Sequence, residues 1–149
     1  MNTNRTTSVV LVFAAITLTS FVTGMSVGQA HTVDTRVYEL RTYTTNPGRR
    51  PALQKRFAEH TRRLFQKHGM QRVMYWTPMD SARKDNTLIN VIAHASREAA
   101  DKNWREFQAD SDWVKVSTAS EVDGKIPARA PERVFMTATA WSPLVQSSR

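Results

Sequence analysis

The sequence predicts an α+β fold of the ferredoxin-like kind, a βαββαβ domain with a four-stranded antiparallel sheet and both helices on one face. Three observations carry that expectation. Two β patterns lie at residues 36–43, where apolar residues alternate with charged ones, and at 87–94, where one face is wholly apolar. An apolar stripe at helical spacing (Leu53, Phe57, Thr61, Leu64, Phe65, His68) lies between them. A second helical stretch, stepping through Ala100, Trp104 and Phe107, precedes a closing β run over residues 133–141.

In chain order, the first strand shows Tyr38, Leu40 and Thr42 on one side and Val37, Glu39, Arg41 and Tyr43 on the other. Asn46-Pro47-Gly48 is a turn signal, and Pro51 suits the first turn of a helix, where a missing N–H costs little. Gly69 is placed to end that helix as a C-terminal cap. Residues 71–77 are aromatic and β-branched and stop at Pro78, which reads as a strand. The polar run at 80–86 is a loop before the strand at 87–94. Ser96 is an N-cap followed by Glu98 in the first turn, and Asp110-Ser111-Asp112 restarts the helix in a second piece ending at Gly124.

The strand at 87–94 has one wholly apolar side, Ile89, Val91 and Ala93, expected beneath the helices. Its other side, Leu88, Asn90, Ile92 and His94, should join Glu39 and Arg41 on the bare face of the sheet. A bare face carrying Val37, Tyr43, Leu88 and Ile92 calls for a partner, and a second copy related by twofold symmetry is the commonest one. A homodimer is therefore expected.

Residues 1–30 read as a secretory signal peptide. Arg5 is their only charge, residues 9–22 form an apolar run, and Gly28-Gln29-Ala30 has the small-x-small form of a cleavage site. That run is about 14 residues, short of the roughly 20 a membrane span needs, so no transmembrane span is expected after cleavage. The expected location is secreted or periplasmic. The chain has no Cys, so packing alone must hold the domain in an oxidising compartment. The formal net charge is +8, but the bases are spread over a helix face or alternate with acids. No nucleic-acid motif accompanies them, and no nucleic-acid partner is expected. The basic first helix reads as a solvated face, with an acidic partner or anionic surface as an alternative use.

Val37-Tyr38-Glu39-Leu40-Arg41-Thr42-Tyr43 with Pro47-Gly48 resembles the opening of NIPSNAP-family domains. His60-Thr61, the segment 64–70, Tyr75-Trp76-Thr77, the segment 93–100 and Trp141-Ser142-Pro143-Leu144 are similar to the rest of it. The resemblance covers residues 36–145 and implies a dimeric α+β barrel, two ferredoxin-like sheets facing one another around a cavity. It brings no settled catalytic mechanism and no cofactor. The wider superfamily includes small monooxygenases and isomerases, so a cofactor-independent oxygenase or isomerase is one alternative, and a non-catalytic interaction module is another.

The candidate ligand-pocket residues are Glu39, Arg41, Tyr43, Asn90 and His94, expected to face the cavity between the sheets. An Arg there could bind an anionic or carbonyl ligand while Glu or Tyr moves a proton. Alternatively, Glu39 and Arg41 hold each other across the dimer interface, the reading preferred here. No metal site is expected. His60 and His68 are about 12 Å apart along one helix, Trp104, Phe107 and Trp113 read as packing, and His31 could chelate copper only with a second fixed histidine.

Overall fold

The computed structural model describes residues 34–79 and 82–143. The chain divides into two units, Met1–Ala30 and His31–Arg149, and every described residue belongs to the second. Residues 1–30, expected to be a signal peptide, His31 and the match at Leu144 lie outside the described residues.

The elements run β1 (Val37–Thr44), α1 (Arg50–Arg56), a π-helical turn (Phe57–Thr61), α2 (Arg62–Lys67), β2 (Gln71–Trp76), β3 (Thr87–His94), α3 (Arg97–Ala109), α4 (Ser111–Ser120) and β4 (Glu132–Thr137). The four strands form one sheet in the order β2-β3-β1-β4, with every neighbouring pair antiparallel. This is the ferredoxin-like order, and the α+β expectation holds.

The caps explain the helix ends. Gly69 adopts φ +70°, its N–H bonding Gln66 O at 3.2 Å while Met70 N–H reaches Phe65 O at 2.9 Å, a Schellman closure. The Ser96 hydroxyl accepts from Ala99 N at 3.1 Å, and an Asp110 carboxylate oxygen accepts from Asp112 N at 2.8 Å, so both predicted N-caps form. Arg49 binds the carbonyls of Ser120 and Gly124 and so holds the end of α4 against the start of α1.

Three local features depart from expectation. The first helix is interrupted by the π-turn, where Thr61 Oγ1 donates to Arg56 O. Its wider turn brings Arg56 to the buried side alongside Leu53, Phe57 and Thr61. The ladder between β2 and β3 slips at a bulge between Arg72 and Met74. Finally, β4 ends at Thr137 rather than near residue 141, because its partner β1 begins at Val37, opposite Thr137, and later residues have no strand to pair with.

The larger correction concerns the two faces of the sheet. Glu39, Arg41, Leu88, Asn90, Ile92 and His94 do share one side, but that side lies beneath the helices. Leu88 and Ile92 join Leu53, Phe57, Leu64, Phe65, Met70, Trp104, Phe107 and Ile126 in the core. The opposite face is the bare one, and its rows pair Met74, Val91, Leu40 and Val134, then Trp76 and Ile89. Met74, Trp76, Val134 and Met136 are exposed there by 52, 45, 55 and 36 %. Periodicity gives both faces but not their direction. The apolar face was expected under the helices because burial normally selects it. Here the aromatic residues of α3 and of the first helix bury the polar face, and the Glu39 network removes the cost.

Candidate functional site

Glu39 sits in mid-strand and is fully buried. An isolated carboxylate there would be very costly, and three donors meet it. Arg41 Nη1 reaches Oε1 at 2.7 Å, while His94 Nε2 at 3.1 Å and Trp104 Nε1 at 2.6 Å both donate to Oε2. Burial by itself would raise the carboxyl's pKa. The bonds from His94 and Trp104 and the Arg41 charge outweigh burial and bring it down to about 2. Because a carboxylate only accepts, His94 Nε2 carries the proton, and its buried Nδ1 has no partner among the described residues. A carboxylate held this firmly is a poor proton acceptor at neutral pH. Its physical role is to fix Arg41, and it does so within one strand of one chain, not across a dimer interface.

Arg41 is gripped from three sides. Besides Glu39, its Nε donates to the Tyr43 hydroxyl at 2.9 Å, and its guanidinium lies 4.0 Å from the centre of the Trp104 ring. Tyr43 thus accepts from Arg41, and its own O–H has no acceptor among the described residues. Burial pushes the Tyr43 pKa up against the opposing pull of Arg41.

Arg41 and Tyr43 open onto a cavity of about 230 Å³ between the sheet and the helices. Its apolar wall includes Phe57, Phe65, Trp104, Phe107 and Trp113, and its rim includes Arg56, Glu121 and Arg129. Arg56, 8 % exposed, donates through Nη1 to Ser120 Oγ at 3.2 Å and Glu121 Oε1 at 3.1 Å. Its guanidinium lies 5.2 Å from the Trp113 ring centre, and its buried Nε is unpartnered among the described residues.

Of the five predicted residues, then, Arg41 and Tyr43 line the cavity, and Glu39 and His94 stand behind Arg41. Asn90 is buried opposite Arg41 and Tyr75 in the ladder, outside the cavity lining. Its amide and the Tyr75 hydroxyl are neighbours, but neither closes a hydrogen bond of good geometry among the described residues. None of the five sits on the bare face expected to line an inter-sheet cavity.

Sequence reasoning missed Arg56, Trp104, Trp113 and Glu121. An arginine within the stripe Leu53, Arg56, Phe57 was a readable signal, since a charge at a core-facing position needs a partner. So was the indole N–H of Trp104, which needs an acceptor when buried. The basic helix is also less uniformly solvated than expected: Arg56 is buried, Arg49 clamps α4, and Lys67 pairs with Asp110 at 2.7 Å. His68 bonds the same Asp110 at 2.6 Å and joins α2 to the junction of α3 and α4. His60 stands apart from it, 3.7 Å from Glu59. Among the described residues no group of three potential ligands is placed to hold a metal ion, and no helix is long and apolar enough to cross a membrane.

Comparison with known proteins decides the family. The NIPSNAP family model matches residues 38–143. The chain belongs to the NIPSNAP family. Among solved structures, a NIPSNAP family protein of unknown function from Agrobacterium tumefaciens is 23 % identical. It aligns over 74 % of this chain and 94 % of its own, with a TM-score of 0.60. An uncharacterised NIPSNAP-like domain protein from Burkholderia xenovorans is 12 % identical over 76 % of this chain and 93 % of its own, with a TM-score of 0.64. A second NIPSNAP protein from A. tumefaciens is 16 % identical over 76 and 94 %, with a TM-score of 0.63. At these identities the likeness establishes the fold, and the site must speak for its own chemistry. No match was found among curated proteins.

Proposed function

We propose that this is an exported NIPSNAP-family protein that dimerises through its apolar sheet face and binds a small molecule within each protomer, between sheet and helices. The observation that carries the binding claim is the cavity, which places the fixed donors of Arg41 and Tyr43 against walls of Phe57, Phe65, Trp104, Phe107 and Trp113. A concave apolar site with a few convergent polar groups is the usual form of a small-molecule pocket. At about 230 Å³ it falls below the ~300–1,000 Å³ of drug-sized sites, which suits one ring or two fused rings.

Export rests on the leader-like composition of residues 1–30. Dimerisation rests on the exposed apolar rows of the sheet, since a face carrying Met74, Trp76, Val134 and Met136 is larger in apolar character than a solvated sheet face tolerates. In such a dimer the space between the sheets would be apolar and the polar network would remain inside each protomer.

Titration with 2-naphthamide, a neutral bicyclic probe, tests the cavity through quenching of tryptophan fluorescence. Saturable quenching that Ser117→Phe abolishes, by filling the cavity from α4, is the expected result. Quenching that survives Ser117→Phe in a folded variant would place binding elsewhere.

A further inference from the structure

We propose that the molecule held in this cavity is a planar aromatic anion, an arene carboxylate or its equivalent, bound by Arg41 and Arg56 acting together with Tyr43. The inference rests on the cavity being a binding site. Among the described residues three guanidinium side chains line it, Arg41, Arg56 and Arg129, against one carboxylate, Glu121, although Arg129 is itself paired with Glu132 at 2.7 Å. Glu39 stands behind Arg41 and is already met by three donors.

The two buried arginines are built alike. Arg41 spends Nη1 on Glu39 and Nε on Tyr43 and lies over Trp104; Arg56 spends Nη1 on Ser120 and Glu121 and lies over Trp113. In both, Nη2 makes no hydrogen bond among the described residues, and in Arg56 the buried Nε is also unpartnered. Tyr43 adds an O–H with no acceptor among the described residues, and both arginine charges act on it. The Arg56 Nε is a buried donor without an acceptor among the described residues, which is costly. The two Nη2 groups and the Tyr43 O–H add further donors free to bind, so this set favours a ligand that brings acceptors and negative charge. Guanidinium groups suit a carboxylate geometrically, and the flanking indoles and phenyl rings suit a flat apolar body. The carboxylate is thus assigned to Arg41, Arg56 and Tyr43, and the ring to the aromatic wall.

The test compares 2-naphthoate with its neutral isostere 2-naphthamide on the full chain at pH 7, by tryptophan quenching and calorimetry. Naphthoate is expected to bind at least about tenfold more tightly, the scale of a charge-assisted hydrogen bond. Arg56→Gln should reduce that preference below about threefold while naphthamide still binds, which shows the cavity intact. Tyr43→Phe, which keeps the ring, should weaken naphthoate as well, and it decides the matter should Arg56→Gln fail to fold. Equal binding of both probes would overturn the anion assignment and leave the cavity reading standing. Binding of neither would overturn the cavity reading itself. A naphthoate preference untouched by either substitution would show that these atoms are not the anion site.

Discussion

The Trp104 indole N–H donates to Glu39 Oε2 at 2.6 Å while the face of the same indole receives the Arg41 guanidinium at 4.0 Å. One side chain of α3 therefore secures both halves of the β1 ion pair and ties the helix to the sheet. Trp104→Phe keeps an aromatic ring but removes the donor. A hydrogen bond to a buried charge is worth about 1.5–3 kcal/mol, so urea unfolding should show a loss of about that size, with the melting temperature falling accordingly. An unchanged midpoint would mean that the bond contributes nothing to folding.

Acid should unfold the protein through Glu39. Its carboxyl titrates near 2 in the folded chain, against an ordinary 4.5. A group whose folded pKa is depressed contributes its full stability above the unfolded value and loses it as pH falls through the folded one. Asp34 and Asp110, also held low by Arg36 and Tyr38 and by Lys67 and His68 respectively, act in the same direction. Stability should thus be flat from neutrality to about pH 5 and fall steadily towards pH 2. Glu39→Gln turns an amide N–H₂ towards donors, leaves Arg41 without its carboxylate, and should cost about 3 kcal/mol at pH 7. It should also flatten part of the acid slope, as read from denaturation midpoints at each pH.

The apolar sheet face gives a separate test. Val134 is already half exposed in β4, so Val134→Lys should leave the protomer folded by circular dichroism. A charge introduced into an apolar interface should weaken association by at least about 100-fold, visible as monomer in analytical ultracentrifugation. A wild-type protein that is already monomeric would overturn the proposed dimer, and a dimer that survives Val134→Lys would remove this face from its interface.

The proposed export predicts a mature chain that begins at His31. Intact mass and N-terminal sequencing of material recovered outside the cytoplasm would establish this, and a chain still beginning at Met1 would contradict cleavage after Ala30.

Much of this fold was legible because its signals are local. Gly69, Ser96 and Asp110 fix helix ends through bonds made within a few residues, and the octet Thr87–His94 divides into a wholly apolar face and a mixed one without help from the rest of the chain. The grouping of Glu39 and Arg41 with Asn90 and His94 was legible for the same reason. Which way that group faced was not, because its direction depends on Trp104, some 65 residues away, supplying the N–H that makes a buried Glu39 tolerable. The place of Arg56 likewise depends on a π-turn whose extra residue leaves no mark in an apolar stripe read at a spacing of three and four. Glu121 could be recognised only once α4 had been packed against α1.

The four tryptophans report on the central claim, that the bound molecule lies beneath the helices and not between sheets. Trp104 and Trp113 line the cavity, while Trp76 belongs to the bare sheet face and Trp141 follows β4 and is exposed. In a ¹⁵N-labelled sample titrated with 2-naphthoate, the indole N–H signals of Trp104 and Trp113 should shift together with a single affinity while those of Trp76 and Trp141 stay in place. Movement of Trp76 with Trp104 and Trp113 unmoved would contradict the account and return the ligand to the space between the sheets.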